Sequence, residues 1–131
     1  MIELELPWPP CINHYKKPGR IVRTVTGKLY QMKVNTNETT RFYYEVWVKI
    51  RNMKAREGLK SFQGSTISVE VDAYPPDKRK RDLDGILKVL LDSMQRGGLY
   101  DDDYQIARLL VTRKDMIEQG KVVVRIQELN K

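Results

Sequence analysis

Residues 66–98 read TISVEVDAYPPDKRKRDLDGILKVLLDSMQRGG, and this stretch decides the fold class. Over its first nine residues Ile67, Val69, Val71 and Ala73 alternate with polar neighbours, the period of a strand with one buried face. Pro75-Pro76 ends that strand, because proline lacks the N–H a sheet ladder needs. Beyond a charged linker the period changes. Leu83, Ile86, Leu87, Leu90, Leu91 and Met94 recur at helical spacing, and Gly97-Gly98 supplies a C-cap, which predicts a helix over 83–96 with Asp82 at its N-cap.

Working outward, Ile2–Pro7 alternates apolar and charged residues and stops at Trp8-Pro9-Pro10, a half-buried strand. Arg20–Val25 and Lys28–Lys33 flank Thr26-Gly27 and read as a hairpin or a mobile basic loop. Asn35 with Glu38 three residues later has the spacing of a capping box. Phe42, Val46, Ile50 and Met53 follow at helical spacing, so a helix is expected over 37–56, ending near Gly58. Gln105–Thr112 and Lys121–Leu129 are rich in Val and Ile and read as two strands joined through a turn near Gln119-Gly120. The order strand, basic segment, helix, strand, helix, strand, strand is α+β: one small domain spanning residues 1–131, with two main helices packed on a mixed or mostly antiparallel sheet.

The chain has 131 residues and a formal charge of +7, with 40% hydrophobic residues, enough for one core without disulfides or a structural metal. No apolar run is long enough for a membrane span, and the Met-Ile-Glu-Leu-Glu start has neither a basic region nor an apolar one behind it, so a cytoplasmic protein is expected. A single cysteine, Cys11, and a single histidine, His14, argue against zinc hydrolases and most nucleophilic mechanisms. The charge is unevenly spread: residues 14–60 sum to +9 and the remainder to −2. A concentrated positive field suits a polyanion such as nucleic acid, and Lys16 and Lys17 belong to it. Solubility or an anionic membrane explains the same numbers.

The acidic residues then need a reason. Asp82 and Asp84 flank Leu83, whose side chain is expected to point into the core, so their carboxylates converge at a helix N-terminus, where the dipole favours negative charge. A plain N-cap at Asp82, worth about 1 kcal/mol, and a surface pair of Asp84 with Lys88 explain them equally well in isolation. The second cluster, Asp101-Asp102-Asp103, adds a geometric argument. The helix runs roughly 18 Å from Asp84 to Arg96. The six steps from Gly97 to Asp103 span at most about 20 Å, so Asp103 can reach back to Asp82 and Asp84. Like charges about 4 Å apart repel by about 4 kcal/mol at an effective dielectric near 20, which favours a cation between them. Carboxylates without His or Cys suit Mg²⁺, with Mn²⁺ as the alternative ion. Beside a basic surface that chemistry is phosphodiester hydrolysis. Lys88 would add positive charge at the reacting phosphate, and Lys78, Arg79, Lys80 and Arg81 would grip flanking phosphates. A calcium-stiffened loop or a solvated acidic turn remains open on these residues alone.

At these residues the chain resembles the RusA family of Holliday-junction resolvases, small endodeoxyribonucleases of bacteria and their prophages. Leu6-Pro-Trp-Pro-Pro10 with Asn13 and Tyr15 is similar to the family's opening segment. Arg81-Asp-Leu-Asp84 after the basic run is similar to its acidic core. Lys88 stands at the spacing of the family's lysine, and Asp102-Asp103-Tyr-Gln105 resembles its second acidic motif. The resemblance implies metal-binding catalytic roles for Asp82, Asp84 and Asp103 and a catalytic role for Lys88. It also implies a homodimer that resolves four-way junctions by paired symmetric nicks in recombination and repair. Gly85 stands where the family usually has Asn, Cys11-Ile12 replaces Ser-Asn, and Pro18–Gly64 carries little of the family's pattern. The competing readings are a nuclease for other branched DNA, a catalytically silent junction-binding protein, and a basic RNA- or membrane-binding module.

Overall fold

The computed structural model describes residues 1–11 and 15–129. Ile12, Asn13 and His14, three residues used in the sequence reading above, lie outside them. The elements are β1 (Ile2–Pro7), β2 (Lys16–Arg23), β3 (Leu29–Asn35), α1 (Asn37–Glu57), β4 (Ile67–Tyr74), α2 (Asp84–Arg96), β5 (Ile106–Arg113) and β6 (Lys121–Glu128). A four-stranded mixed sheet has the order β1-β6-β4-β5, and β2 and β3 form a separate hairpin. The fold is α+β, as the alternation of periods implies.

Pairing decides which side chains meet. β6 runs antiparallel to both β1 and β4, with Leu4 opposite Val124, Leu6 opposite Val122, and Val69 opposite Ile126. Residues directly opposite share a face of the sheet. One face therefore carries an unbroken apolar layer, which packs with Phe42, Val46 and Ile50 of α1 and Ile86, Leu90 and Met94 of α2 in one buried cluster. The other face is polar: Arg125 bonds Asp72 at 2.9 Å and lies 3.4 Å from Glu70. Pro7 ends the edge strand β1, where a missing N–H costs least.

β5 and β6 do not form a hairpin. β5 pairs parallel with β4, while β6 enters on the other side of β4. The connecting segment crosses the end of β4, with the Lys114 N–H donating to Ala73 O at 2.8 Å and the Ile117 N–H to Pro75 O at 2.9 Å. A parallel neighbour needs a crossover, and α2 provides it between β4 and β5. The turn expected near Gln119-Gly120 is present, both residues having left-handed φ, 70° and 68°.

The helix ends differ from the sequence expectation at both N-termini. α1 is capped by Thr36, whose side chain accepts from the Thr39 N–H, and not by an Asn35/Glu38 box. Asp82 is not the N-cap of α2. Leu83 holds that place in a helical conformation without a side-chain cap, and the Asp82 carbonyl instead accepts from the Gly85 N–H at 3.1 Å. That turn leaves the Asp82 carboxylate uncommitted to the helix. The buried stripe of α2 is also rotated: Val89 and Ser93 are fully buried with Ile86, Leu90 and Met94, while Leu83 and Leu91 are partly covered. Its C-terminus closes as the glycines predict. The Leu99 N–H reaches Met94 O and the Gly98 N–H reaches Gln95 O, both at 3.0 Å, with Gly98 at φ 88°. That bonding pair is the Schellman motif.

Candidate active site

The loop between β4 and α2 is organised by Asp77. Its carboxylate accepts from the Arg79 N–H at 2.9 Å, from Arg79 Nη2 at 3.1 Å and from Arg81 Nη2 at 2.9 Å. These bonds to charged donors hold the Asp77 carboxyl far below the usual carboxylate range, the Arg81 contact contributing most. Two of the four cations expected to grip phosphates are thus drawn onto one carboxylate. Lys78 and Lys80 make no ion pair among the described residues. Arg113, at the end of β5, donates to Arg81 O at 2.5 Å and ties the loop to the sheet.

Below this loop lies an open cleft of about 740 Å³. Asp82 and Asp84 line it, together with Glu38 from the first turn of α1 and with Arg79, Lys80 and Arg81. Trp8, Pro9 and Cys11 line it as well. A Cβ on Gly85 would sit 3.5 Å from Cys11 Sγ. Two positions that depart from the family pattern are therefore neighbours inside the same cleft.

Asp103 comes to a different part of the same helix. Asp84, Lys88 and Asp92 are spaced by four and form a stripe along α2. Lys88 Nζ pairs with Asp92 at 3.2 Å rather than with Asp84. The bond to Asp92 raises the Lys88 pKa above its ordinary value, so the amine stays charged. Asp103 lies beside Asp92 and Lys88. Burial, then the Asp92 charge, push its carboxyl above the ordinary range, while Lys88 pulls it back. Its Oδ1 is buried with no hydrogen-bond partner. Among the described residues no three His, Cys, Asp or Glu side chains stand close enough to hold one ion.

The reach argument thus returns Asp103 to α2, but partway along it. The return is tied down early: Leu99 and Tyr100 are buried, and the Tyr100 hydroxyl donates to Leu91 O at 2.7 Å. The chain then coils into a short 3-10 turn over Asp103–Gln105 instead of running extended. Asp102 caps that turn, accepting from the Tyr104 N–H at 2.9 Å. Gln105 secures it. Its Oε1 accepts from the Asp101 and Asp102 N–H groups at 2.7 and 3.0 Å, and its Nε2 donates to Phe62 O and Ser65 O at 2.5 and 2.9 Å.

A sequence model of the family described as Endodeoxyribonuclease RusA matches residues 14–127, a span that includes Pro18–Gly64. The chain belongs to the RusA endodeoxyribonuclease family. It is similar to the crossover junction endodeoxyribonuclease of Enterobacteria phage HK97, 33% identical over 124 residues, covering 95% of this chain and 92% of the phage protein. It is also similar to the protein of that name from Shigella sonnei, 27% identical over 128 residues, covering 96% and 93% of the two chains. Enterobacteria phage 82 has another, 26% identical over 128 residues with the same coverage. No helix of the described residues is long and apolar enough to cross a membrane.

Glu38, Asp77, Asp92 and Gln105 surround this candidate site, although the sequence pattern gave none of them a role in it. Asp77 had a signal, an acid two and four residues before Arg79 and Arg81 directly after Pro-Pro. Asp92 had one too, four residues beyond Lys88. Glu38 had none, because only the packing of α1 brings it into the cleft that Asp82 and Asp84 line.

Proposed function

We propose that this chain is a Mg²⁺-dependent endodeoxyribonuclease that cuts four-way DNA junctions as a homodimer making paired nicks, in bacterial or phage recombination and repair. The observation that carries the reading is the cleft lined by Asp82 and Asp84 together with Arg79, Lys80 and Arg81. Carboxylates and cations in one cleft suit a substrate that is an anion held through a metal.

The residues fit such a metal by their chemistry. Asp82, Asp84 and Asp103 offer only hard oxygen donors, and the buried Asp103 Oδ1 has no protein partner to satisfy it. These three stand too far apart to share an ion in the metal-free chain, and would hold one only once its charge draws Asp103 toward the Asp82–Asp84 pair, with Mn²⁺ able to replace Mg²⁺. When bound, the ion lowers the pKa of water and offsets charge on the phosphate. The chain's own groups do the rest. Lys88, half exposed and kept charged by Asp92, adds positive charge beside the reacting phosphate. Lys78 and Lys80 hold neighbouring phosphates, with Arg79 and Arg81 shaping the rim through Asp77. Lys16 and Lys17 extend the positive surface beyond the cleft. A two-fold pair matches a junction with two equivalent strands, since one domain carries one such site.

A synthetic four-way junction incubated with Mg²⁺ tests the reading. The wild-type chain is expected to cut it and to leave linear duplex intact, while Asp82→Asn binds and does not cut. Equal cutting of junction and duplex sinks the junction assignment. Tight binding without cutting by the wild type would mark a junction-binding protein instead.

A further inference from the structure

The β2–β3 hairpin forms a two-stranded sheet of its own, separate from the four-stranded one. None of its strand residues is buried. Ile21 is 66% exposed, Leu29 58% and Tyr30 50%. A two-stranded hairpin with so little burial is marginal in water by itself, so a partner that covers it is worth seeking.

Charge says which partner. From Tyr15 to Asn35 the chain carries Lys16, Lys17, Arg20, Arg23, Lys28 and Lys33 and no Asp or Glu. Among the described residues none of the six makes an ion pair. At the base of the hairpin a groove of about 330 Å³ is lined by Lys16, Lys17 and Lys33 with Tyr15 and Gln31. Three lysines around one groove, with no carboxylate to balance them, form a seat for an anion.

The chain on both sides of the hairpin leads to the cleft. The Thr36 N–H donates to Tyr15 O at 3.0 Å and clamps the two ends together. Cys11 precedes the hairpin and Glu38 follows it, and both line the cleft. The eight residues of β2 extend about 26 Å at 3.3 Å per residue, and the seven of β3 slightly less. That is roughly the length of eight phosphates along one strand at 3.4 Å each. A two-stranded ribbon is also narrow enough for the major groove of B-DNA.

We propose that the β2–β3 hairpin is a DNA-backbone arm, which grips a duplex arm of the branched substrate outside the cleft that holds the cut phosphate. The inference rests on branched DNA being the substrate. It adds a second contact surface, on a separate sheet, that supplies affinity through phosphates and leaves the chemistry to α2 and its neighbours.

The test is metal-free binding, so that it stays independent of cutting. Fluorescence anisotropy of a labelled four-way junction in EDTA is measured across a KCl series for wild type and three variants, each checked for folding by circular dichroism. The arm variant combines Arg20→Gln, Arg23→Gln and Lys28→Gln. The control combines Arg108→Gln and Lys114→Gln, exposed cations on and just after β5. Three lost phosphate contacts reduce the slope of log affinity against log salt by about 2.7, a loss on the order of 10²-fold near 0.1 M salt. The control is expected to keep the wild-type slope. A second arm variant, Lys16→Gln with Lys17→Gln and Lys33→Gln, is expected to reproduce the loss at the groove.

Several results overturn the proposal. Arm variants with wild-type slope and affinity do so, and so does an equal loss per cation in the control, which would reduce the effect to net charge. Unchanged junction binding with lost binding to phosphatidylserine vesicles would make the arm a lipid contact. Unchanged junction binding with a fall in the mass of the wild-type assembly would make it a seat for a second copy. If wild type binds the junction but never cuts it with Mg²⁺, the nuclease reading fails while the slopes still decide the arm.

Discussion

Replacing Gln105 by Ala tests how Asp103 is held. The side chain makes four hydrogen bonds, two accepted from the Asp101 and Asp102 N–H groups and two donated to Phe62 O and Ser65 O. The donated pair is partly buried and the accepted pair is open to water, which can replace it. At about 1 kcal/mol for each partly buried bond and about 0.5 for each exposed one, Gln105→Ala is expected to cost about 3 kcal/mol. Urea denaturation measures this as a lower midpoint with unchanged slope. Gln105→Glu sharpens the test. It keeps an acceptor for both N–H groups but sets a carboxylate oxygen against two carbonyls, so it is expected to be at least as damaging at pH 7 and to recover partly on acidification, when its O–H can donate. Because the 3-10 turn carries Asp103, both variants are also expected to lose about 10²-fold in junction cleavage through misplacement. A Gln105→Ala protein within about 0.5 kcal/mol of wild type would refute the ledger of bonds, and one that cuts at the wild-type rate would refute their role in placing Asp103.

Other expectations follow from single contacts. Burial and Asp92 raise the Asp103 pKa in the folded chain, so the fold keeps that proton to higher pH than the unfolded chain does. Its contribution to stability is therefore full below the ordinary carboxylate range and lost as pH rises through the folded value. Asp103→Asn is accordingly expected to melt higher than wild type at neutral pH in metal-free buffer, to match it in acid, and to cut nothing; a lower neutral Tm would contradict the sign. Lys88→Ala is expected to slow cleavage by about 10²-fold or more while leaving junction affinity nearly unchanged, and a pure loss of affinity would make Lys88 a phosphate contact only. Gly98 has φ 88°, and a Cβ there would come 3.0 Å from Lys54 Nζ. Gly98→Ala is expected to cost about 1–2 kcal/mol in denaturation, and a neutral result would deny the left-handed cap its importance.

The parts of this protein that are local in the chain were readable without coordinates. The alternation of Ile67, Val69, Val71 and Ala73, the helical recurrence ending at Gly97-Gly98, and Gly58 after α1 all stand where the spacing puts them. Those signals depend on periods of 2 and 3.6 and on the φ that glycine alone adopts cheaply, which are properties of a few consecutive residues. The N-caps were misread by one residue each, because Asn35, Thr36, Asp82 and Leu83 compete locally and packing breaks the tie.

What depends on residues far apart came only from the tertiary structure. β6 sits between β1 and β4 because Val122, Val124 and Ile126 complete the apolar face of both neighbours, a choice that turn signals near Gln119-Gly120 do not encode. In the site, sequence alone put Asp82, Asp84 and Lys88 on one helix and allowed Asp103 to return to it. Tertiary packing decided where it returns: Tyr100 bonded to Leu91 and Gln105 bonded across to Phe62 and Ser65 hold Asp103 beside Asp92. Reach along the chain sets an upper bound on distance, and buried side chains and hydrogen bonds choose the point within it.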